Sequence, residues 1–252
     1  MPRHPVAQMV VVGAIASAIG IALALAIDWF PTDAAEQAGP IDTLYDILMV
    51  VSVPVFVLVT TTVLFSVRLF RMRPGQEKED GPPIHGNTRL EVIWTAVPAI
   101  LLVALCSYAY GVLRDIEEEK PHELVVDVSA QQFTWRFGYP QAGGRPVMST
   151  ELVLPKDRPV RLRIRALDVI HSFWVPAFRV KKDAVPGITT EVRFTPTTAG
   201  RYPVVCAELC GLGHAVMRST ARVVAPAAFD RWLARERGGG VPVERNGGGT
   251  NG

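Results

Sequence analysis

Cysteine is scarce in this sequence. Three occur in 252 residues, Cys106, Cys206 and Cys210, too few for a disulfide framework. An excess of either charge is missing too: 26 Lys and Arg stand against 24 Asp and Glu, a formal net charge of +2. So near a balance gives no electrostatic basis for binding nucleic acid. The one dense basic stretch, VRLRIRA at 160–166, alternates Arg161, Arg163 and Arg165 with Val160, Leu162 and Ile164. That is the period of a half-solvated strand rather than of a docking patch. Charge is absent altogether from Met9 to Ile27, which reads against a chain dissolved in water along its whole length.

Hydrophobic residues make up 49% of the chain and are unevenly spread. Three apolar runs, Met9 to Ile27, Leu44 to Val67 and Val92 to Leu113, fill much of the first half. As a helix the first is about 28 Å long, just enough to cross a hydrocarbon core. The other two can span with some tilt, and Pro54 and Pro98 inside them are tolerated in membrane helices. Arg68, Arg71, Arg73, Lys78 and Arg89 border the link between runs two and three, whereas the link from Asp28 to Asp42 has acids and no Lys or Arg. The positive-inside rule therefore puts the basic link and Arg3 in the cytoplasm and everything after Leu113 outside. Run one is either a retained helix or a signal peptide, with small residues near Thr32 to Ala35 where cleavage would fall. Both keep the sidedness of the rest. Cys106, inside run three, reads as helix packing.

From Leu124 the pattern changes to short alternating stretches: LVVDVSAQQFTWRF, VRLRIRA, TTEVRFTP, RYPVVCAEL and TARVVA. Turn residues such as Gly138, Pro140, Gly143, Pro155, Gly187 and Gly200 separate them. This predicts an antiparallel sandwich or Greek-key barrel of roughly 100 residues. An amphipathic helix over PAAFDRWLARER and a glycine-rich disordered tail follow.

The stretch VVCAELCGLGHAVM, residues 204–217, gathers Cys206, Glu208, Cys210, His214 and Met217. Thiolate with imidazole suits copper, zinc or iron-sulfur. Two cysteines are few for an iron-sulfur cluster, zinc competes on ligand type, and the soft thioether of Met217 tips the balance toward copper. A further imidazole is needed. His171, in DVIHSFWVPAF, fits, because His4 and His85 are on the cytoplasmic side and His122 has no local partner. Singly each residue is ordinary, but together they would otherwise leave two free thiols side by side in an oxidising space.

These residues resemble subunit II of the haem-copper cytochrome c oxidases. C-x-E-x-C-x3-H-x2-M at 206–217, HSFWVPAFRVKKDAVPG at 171–187 and LEVIWTAVPAILL at 90–102 are similar to that family's motifs over roughly residues 43–225. The resemblance implies a membrane-anchored all-β protein: a hydrophobic segment and external link at 1–42, a transmembrane helical hairpin at 43–118, a cupredoxin-like Greek-key β-sandwich at 119–226, and a short helix with tail at 227–252. It implies a dinuclear copper centre, CuA, with Cys206 and Cys210 bridging two coppers. His171 and Met217 would complete one copper, His214 and the backbone carbonyl of Glu208 the other.

The resemblance further implies that the Glu208 side chain helps hold a magnesium or manganese ion at the boundary with subunit I, and that Glu91 stands at the mouth of a proton-uptake channel. A glutamate at a helix start also suits the helix dipole without any such role. Phe133 in AQQFTWRF takes the place of the family's first tryptophan, and with Trp135 it is expected where electrons arrive. Asp183 and Asp168 are expected as docking acids. No C-x-x-C-H motif for covalent haem occurs, so a separate cytochrome c would be the donor, with subunit I, and subunit III beside it, as membrane partners. The implied location is a bacterial plasma membrane, copper domain on the periplasmic face. Other readings are a quinol oxidase subunit without copper, a copper chaperone or nitrous oxide reductase copper domain, and a zinc-stabilised structural protein.

Overall fold

The computed structural model describes residues 4–72, 74–75, 81 and 83–238. The expected tail from 239 onward lies outside the described residues, as do Arg3, Arg73 and Lys78. The chain divides into two compact units, Met1–Trp29 with Gly39–Asp115, and Phe30–Ala38 with Ile116–Gly252.

The first unit holds three long apolar helices, α1 (Pro5–Ala26), α2 (Ala38–Phe70) and α3 (Thr88–Glu117), each long and apolar enough to cross a membrane. α2 has 33 residues and α3 has 30. At 1.5 Å per residue both outrun a hydrocarbon core of about 30 Å, so their polar ends continue past the apolar runs. Their apolar side chains stay largely uncovered by the chain itself, Phe56, Val103 and Ile100 among them, as suits helices solvated by lipid or by neighbouring helices. α1 lies against α2 closely enough that a Cβ on Gly20 would come 2.7 Å from Val53 Cγ1. Cys106 is exposed on α3, so the expected packing is not supplied by this chain. α3 opens on a cap: Asn87 Oδ1 accepts from Leu90 N at 3.2 Å, and Glu91 reaches back to accept from Asn87 N at 3.1 Å.

The second unit is a sandwich of two five-stranded sheets. One runs β3 (Val147–Ser149), β2 (Thr134–Tyr139), β1 (Leu124–Gln131), β5 (Val160–Ala166), β8 (Thr190–Phe194). The other runs β4 (Leu152–Pro155), β10 (Arg218–Val224), β9 (Gly200–Cys206), β6 (His171–Val175), β7 (Val180–Ala184). Period-2 alternation selects the inner face: Val126, Val128 and Ala130 of β1 and Leu162 and Ile164 of β5 are fully buried, with Phe173 and Val204 meeting them from the opposite sheet. Arg161, Arg163 and Arg165 take the alternate positions, and Arg163 forms a two-pronged pair with Asp127 at 2.7 and 2.9 Å.

Two findings correct the expected architecture. The sandwich is not purely antiparallel, because β1 pairs in parallel with β5 and β4 with β10. Their connections cross between sheets rather than turning back in tight hairpins, a feature that strand patterns cannot reveal. Secondly, residues 30–38 are not a plain link. Ala34 and Ala35 are buried in the β-domain core, Ala34 N donates to Ala177 O at 2.9 Å, Thr197 N to Ala34 O at 2.9 Å, and Glu36 N to Thr195 O at 3.0 Å. Thr195 N also donates to the Gln37 carboxamide at 2.9 Å. This strap is a working part of the domain. Replacing Gln37 with Met is expected to leave Thr195 N without an acceptor and to cost about 1–3 kcal/mol, read as a lower thermal midpoint and faster hydrogen exchange at Thr195.

The expected helix forms as α4 (Pro226–Gly238) and belongs to the domain as well. Its Phe229 and Trp232 pack on Tyr139 at ring separations of 6.2 and 5.0 Å. The Tyr139 hydroxyl donates to Val153 O and accepts from Val153 N, which ties the two sheets together beneath that helix.

Candidate metal centre

Three connections at one end of the sandwich build the site. His171 is the first residue of β6 and fully buried. β6 pairs with β9 at Phe173 opposite Cys206, so the ladder itself sets His171 beside the end of β9. Cys206 closes β9, and its N–H donates to Met217 O at 3.2 Å, which pins both ends of the intervening loop. Inside the loop His214 N donates to Gly211 O at 3.1 Å and Met217 N to His214 O at 3.2 Å. This tight winding folds residues 206–217 over their own sulfurs.

The sulfurs converge. Cys206 Sγ and Cys210 Sγ lie 3.9 Å apart. His171 Nδ1 is 3.9 Å from Cys206 Sγ and His214 Nδ1 is 3.8 Å from Cys210 Sγ. Met217 Sδ lies 3.8 Å from Cys210 Sγ, and the Glu208 carbonyl oxygen 3.2 Å from Cys206 Sγ. The ligand atoms of His171, Cys206 and Cys210 all fall within 4.8 Å of one another. Every side-chain donor in the group is sulfur or imidazole, and Cys206, Cys210 and Met217 are buried. Such a set fits a soft or borderline metal and rejects calcium or magnesium, which take oxygen ligands. Burial pushes the Cys210 thiol up to about 11, with Cys206 beside it adding to the rise. Without a cation the Cys210 thiol stays protonated near neutrality, so a metal must displace its proton to bind.

The structure sorts the remaining expected residues. The Glu208 side chain is exposed, its backbone alone turned to the sulfurs. Phe133 is partly exposed and its ring lies flat against the metal loop: a Cβ on Gly213 would sit 2.4 Å from Phe133 Cδ2 and 2.5 Å from Cγ. Trp135, expected beside it at the docking face, is instead 1% exposed, and this corrects that placement. Strand alternation turns it inward, where it meets Phe173 at 5.5 Å and His171 at 6.2 Å, ring to ring. Asp183 is exposed and accepts from Ser172 Oγ at 2.7 Å. Asp168 accepts from Gln132 N and contacts His171 Nε2. Glu91 lies at the start of α3, in the other unit.

Sequence reading missed Gln132, whose carboxamide donates to Cys210 O at 2.6 Å. It also missed the two glycines on which Phe133 rests. The G-L-G inside the loop was the available signal, since Gly211 has φ +131, a conformation that favours glycine.

The surroundings of the site are apolar. Leu209, Leu212 and Val216 of the metal loop and Val169 and Ile170 of the β5–β6 loop are all exposed large hydrophobics.

Two family models match the chain: the transmembrane domain of cytochrome c oxidase subunit II over residues 18–112 and its periplasmic domain over residues 144–224. A cytochrome c oxidase subunit 2 from Synechocystis sp. is 31% identical, the match covering 86% of this chain and 80% of that one. The same subunit from Cereibacter sphaeroides is 31% identical over 83% of this chain and 80% of its own length. A solved periplasmic domain of subunit II of cytochrome oxidase from Bradyrhizobium japonicum is 29% identical, with a TM-score of 0.45, over 48% of this chain and 97% of that domain.

Proposed function

The chain belongs to the cytochrome c oxidase subunit II family, and from that membership we propose that it is the subunit through which the oxidase receives electrons from cytochrome c. The observation that carries the reading is the pair of cysteine sulfurs 3.9 Å apart with an imidazole nitrogen beside each. His171, Cys206, Cys210, His214, Met217 and the backbone carbonyl of Glu208 would hold two copper ions. Copper held there would supply a one-electron carrier.

The protein's own residues do the rest. β9, β6 and the wound loop hold the six donors in place before metal arrives, which limits rearrangement. Met217 and the buried sulfurs keep water from the ligand atoms, while Phe133 closes the outer side of the loop and offers a flat apolar contact to a donor. The apolar rim of Leu212, Val216 and Ile170 suits a haem edge, and Asp183 adds a carboxylate at its border. With its side chain exposed, Glu208 remains free to share a magnesium or manganese ion with subunit I. Glu91 serves the cap of α3 and, in this reading, the mouth of a proton channel. Subunits I and III would surround the helices, and oxygen would be reduced in subunit I.

The strap bears on sidedness. Residues 30–38 belong to the β-domain and lie on its side of the membrane, so α2 leaves from that side and α3 returns to it. This parity agrees with the basic residues bordering the α2–α3 link, and it supports a periplasmic β-domain on a bacterial plasma membrane.

The test is metal analysis and EPR of the chain in its assembled oxidase. Two coppers per chain with a seven-line hyperfine pattern are expected, as one unpaired electron shared equally by two copper nuclei requires. One copper with four lines, or zinc with no signal, would overturn the proposal.

A further inference from the structure

α1 is apolar on every side, yet its residues are sorted by size. The positions covered in the fold include Gly13, Ala16, Ser17, Gly20 and Ala24, three or four apart along one stripe. Val6, Val10, Val11, Ile15, Ile19 and Leu23 stay exposed. The small stripe lies on α2. A Cβ on Gly13 would stand 3.6 Å from Thr61 Oγ1, and one on Gly20 only 2.7 Å from Val53 Cγ1, so at Gly20 the helices approach more closely than any larger residue allows. Past the helix end the same pairing continues. Trp29 stands edge-on to Tyr45 with ring centroids 6.2 Å apart, and its indole N–H donates to Ala24 O at 2.8 Å. That bond satisfies one of the last carbonyls of α1, which have no partner inside the helix. From Thr61 through Val53 to Tyr45 the seat runs for about 24 Å along α2, most of the thickness of a hydrocarbon core.

A signal peptide has no use for such a fit. It is read by a basic start, an apolar core of about 7–15 residues and a small-residue cleavage site, and is then removed. Sorting by size against a helix of the mature chain is no part of that, and α1 has 22 residues. The two stretches of small residues where a cut could fall are both engaged. Ala24-Leu25-Ala26 contains the buried Ala24 and the carbonyl that Trp29 caps. Thr32 to Ala35 contains Ala34 and Ala35, 1% and 2% exposed, with Ala34 bonded through both its N–H and its carbonyl within the β-domain. A cut there would place a new ammonium group among buried alanines, a costly setting for an unpaired charge.

We infer that α1 is a permanent third membrane helix of the mature subunit, seated on α2 through Gly13, Gly20 and Trp29, and that it closes this side of α2 to the other subunits of the oxidase. Partners in the membrane then have α3 and the remaining side of α2. None of this depends on what the metal loop binds, so failure of the copper reading would leave it standing.

The experiment is intact-mass measurement and peptide mapping of the subunit from the assembled oxidase. A mass that includes α1, with sequence running unbroken from Leu23 through Gln37, is expected. A mature chain that begins between Ile27 and Gln37 would overturn the inference. The seat is read separately with Gly20→Ile, which keeps the apolar character that membrane insertion needs and forces a branched side chain against Val53. The thermal midpoint of the complex should drop by about 3 °C or more. A wild-type midpoint would show that α1 is not seated there. Should Gly20→Ile fail to assemble, the pair Gly20→Cys with Val53→Cys in a Cys106→Ser background decides, since side chains this close join as a disulfide under a mild thiol oxidant such as diamide. A linked α1–α2 peptide is expected, and two free thiols after oxidation would overturn the seat.

Discussion

Cys210→Ser should abolish the seven-line spectrum and lower cytochrome c oxidation by more than about a hundredfold, since even outer-shell changes at metal sites cost 10–100-fold. The size follows from the place of the sulfur. Cys210 Sγ is within 3.9 Å of Cys206 Sγ and 3.8 Å of both the His214 nitrogen and the Met217 sulfur, so three side-chain donors of the group meet at this one sulfur. A serine hydroxyl is harder and shorter, and it loses its proton far less readily than a thiol. The fold should survive, because Cys210 sits in the loop after β9, whose ladder pairs do not include it. Metal analysis, EPR and steady-state oxidation of cytochrome c measured on one preparation check all three parts. Retention of two coppers with wild-type turnover would remove the bridging role.

Gly213→Ala should slow electron arrival while sparing the metal count. The added Cβ would meet Phe133 Cδ2 at 2.4 Å and Cγ at 2.5 Å, far inside any tolerable contact, so the ring or the loop must move. Overpacking of this kind costs about 1–3 kcal/mol, and a displaced ring no longer caps the loop. Reduction of the centre by cytochrome c is expected to fall by about tenfold, since 1.4 kcal/mol corresponds to a factor of ten. The double change Gly213→Ala with Phe133→Ala removes the clash and should recover the thermal stability of the loop but not the transfer rate. Contacting residues are where such non-additivity is expected. Full additivity of the two changes would show that the ring and the glycine act independently.

Parts of this protein were legible one residue at a time. The span of Met9 to Ile27 without charge and the basic border of the α2–α3 link are local patterns, and the three helices formed where they predicted. Alternation in VRLRIRA predicted a strand with its arginines outward, and Arg163 is found there, paired with Asp127. The loop at 206–217 was readable as a candidate metal site because its sulfur and imidazole donors lie within twelve positions, few enough for one tightly wound loop to gather them.

Other parts depend on which distant segments meet. Nothing in the sequence alone distinguishes Asp168, a carboxylate of the β5–β6 loop, from Asp183, a carboxylate on β7. Only the tertiary structure shows that Asp168 meets His171 and the β1–β2 turn, and that the pairing of β6 with β7 sets Asp183 against Ser172. Trp135 read as a surface aromatic until the pleat of β2 turned it inward. Residues 30–38 read as a link because alanines and a glutamine carry no pattern, yet their backbone bonds Thr195 O and Thr197 N, and the Gln37 carboxamide accepts from Thr195 N.

The sequence by itself determined the class of each half, the three long apolar helices and the gathering of sulfur and imidazole side chains in one loop, because those follow from periodicity, charge and residue chemistry over short stretches. The tertiary structure alone decided how those atoms are held: the parallel strand pairs, the strap, the glycine floor under Phe133 and the hydrogen bonds of Asp168 to His171 and of Gln132 to Cys210. Each of these joins residues far apart along the chain, and contacts of that kind arise from packing that no local pattern encodes.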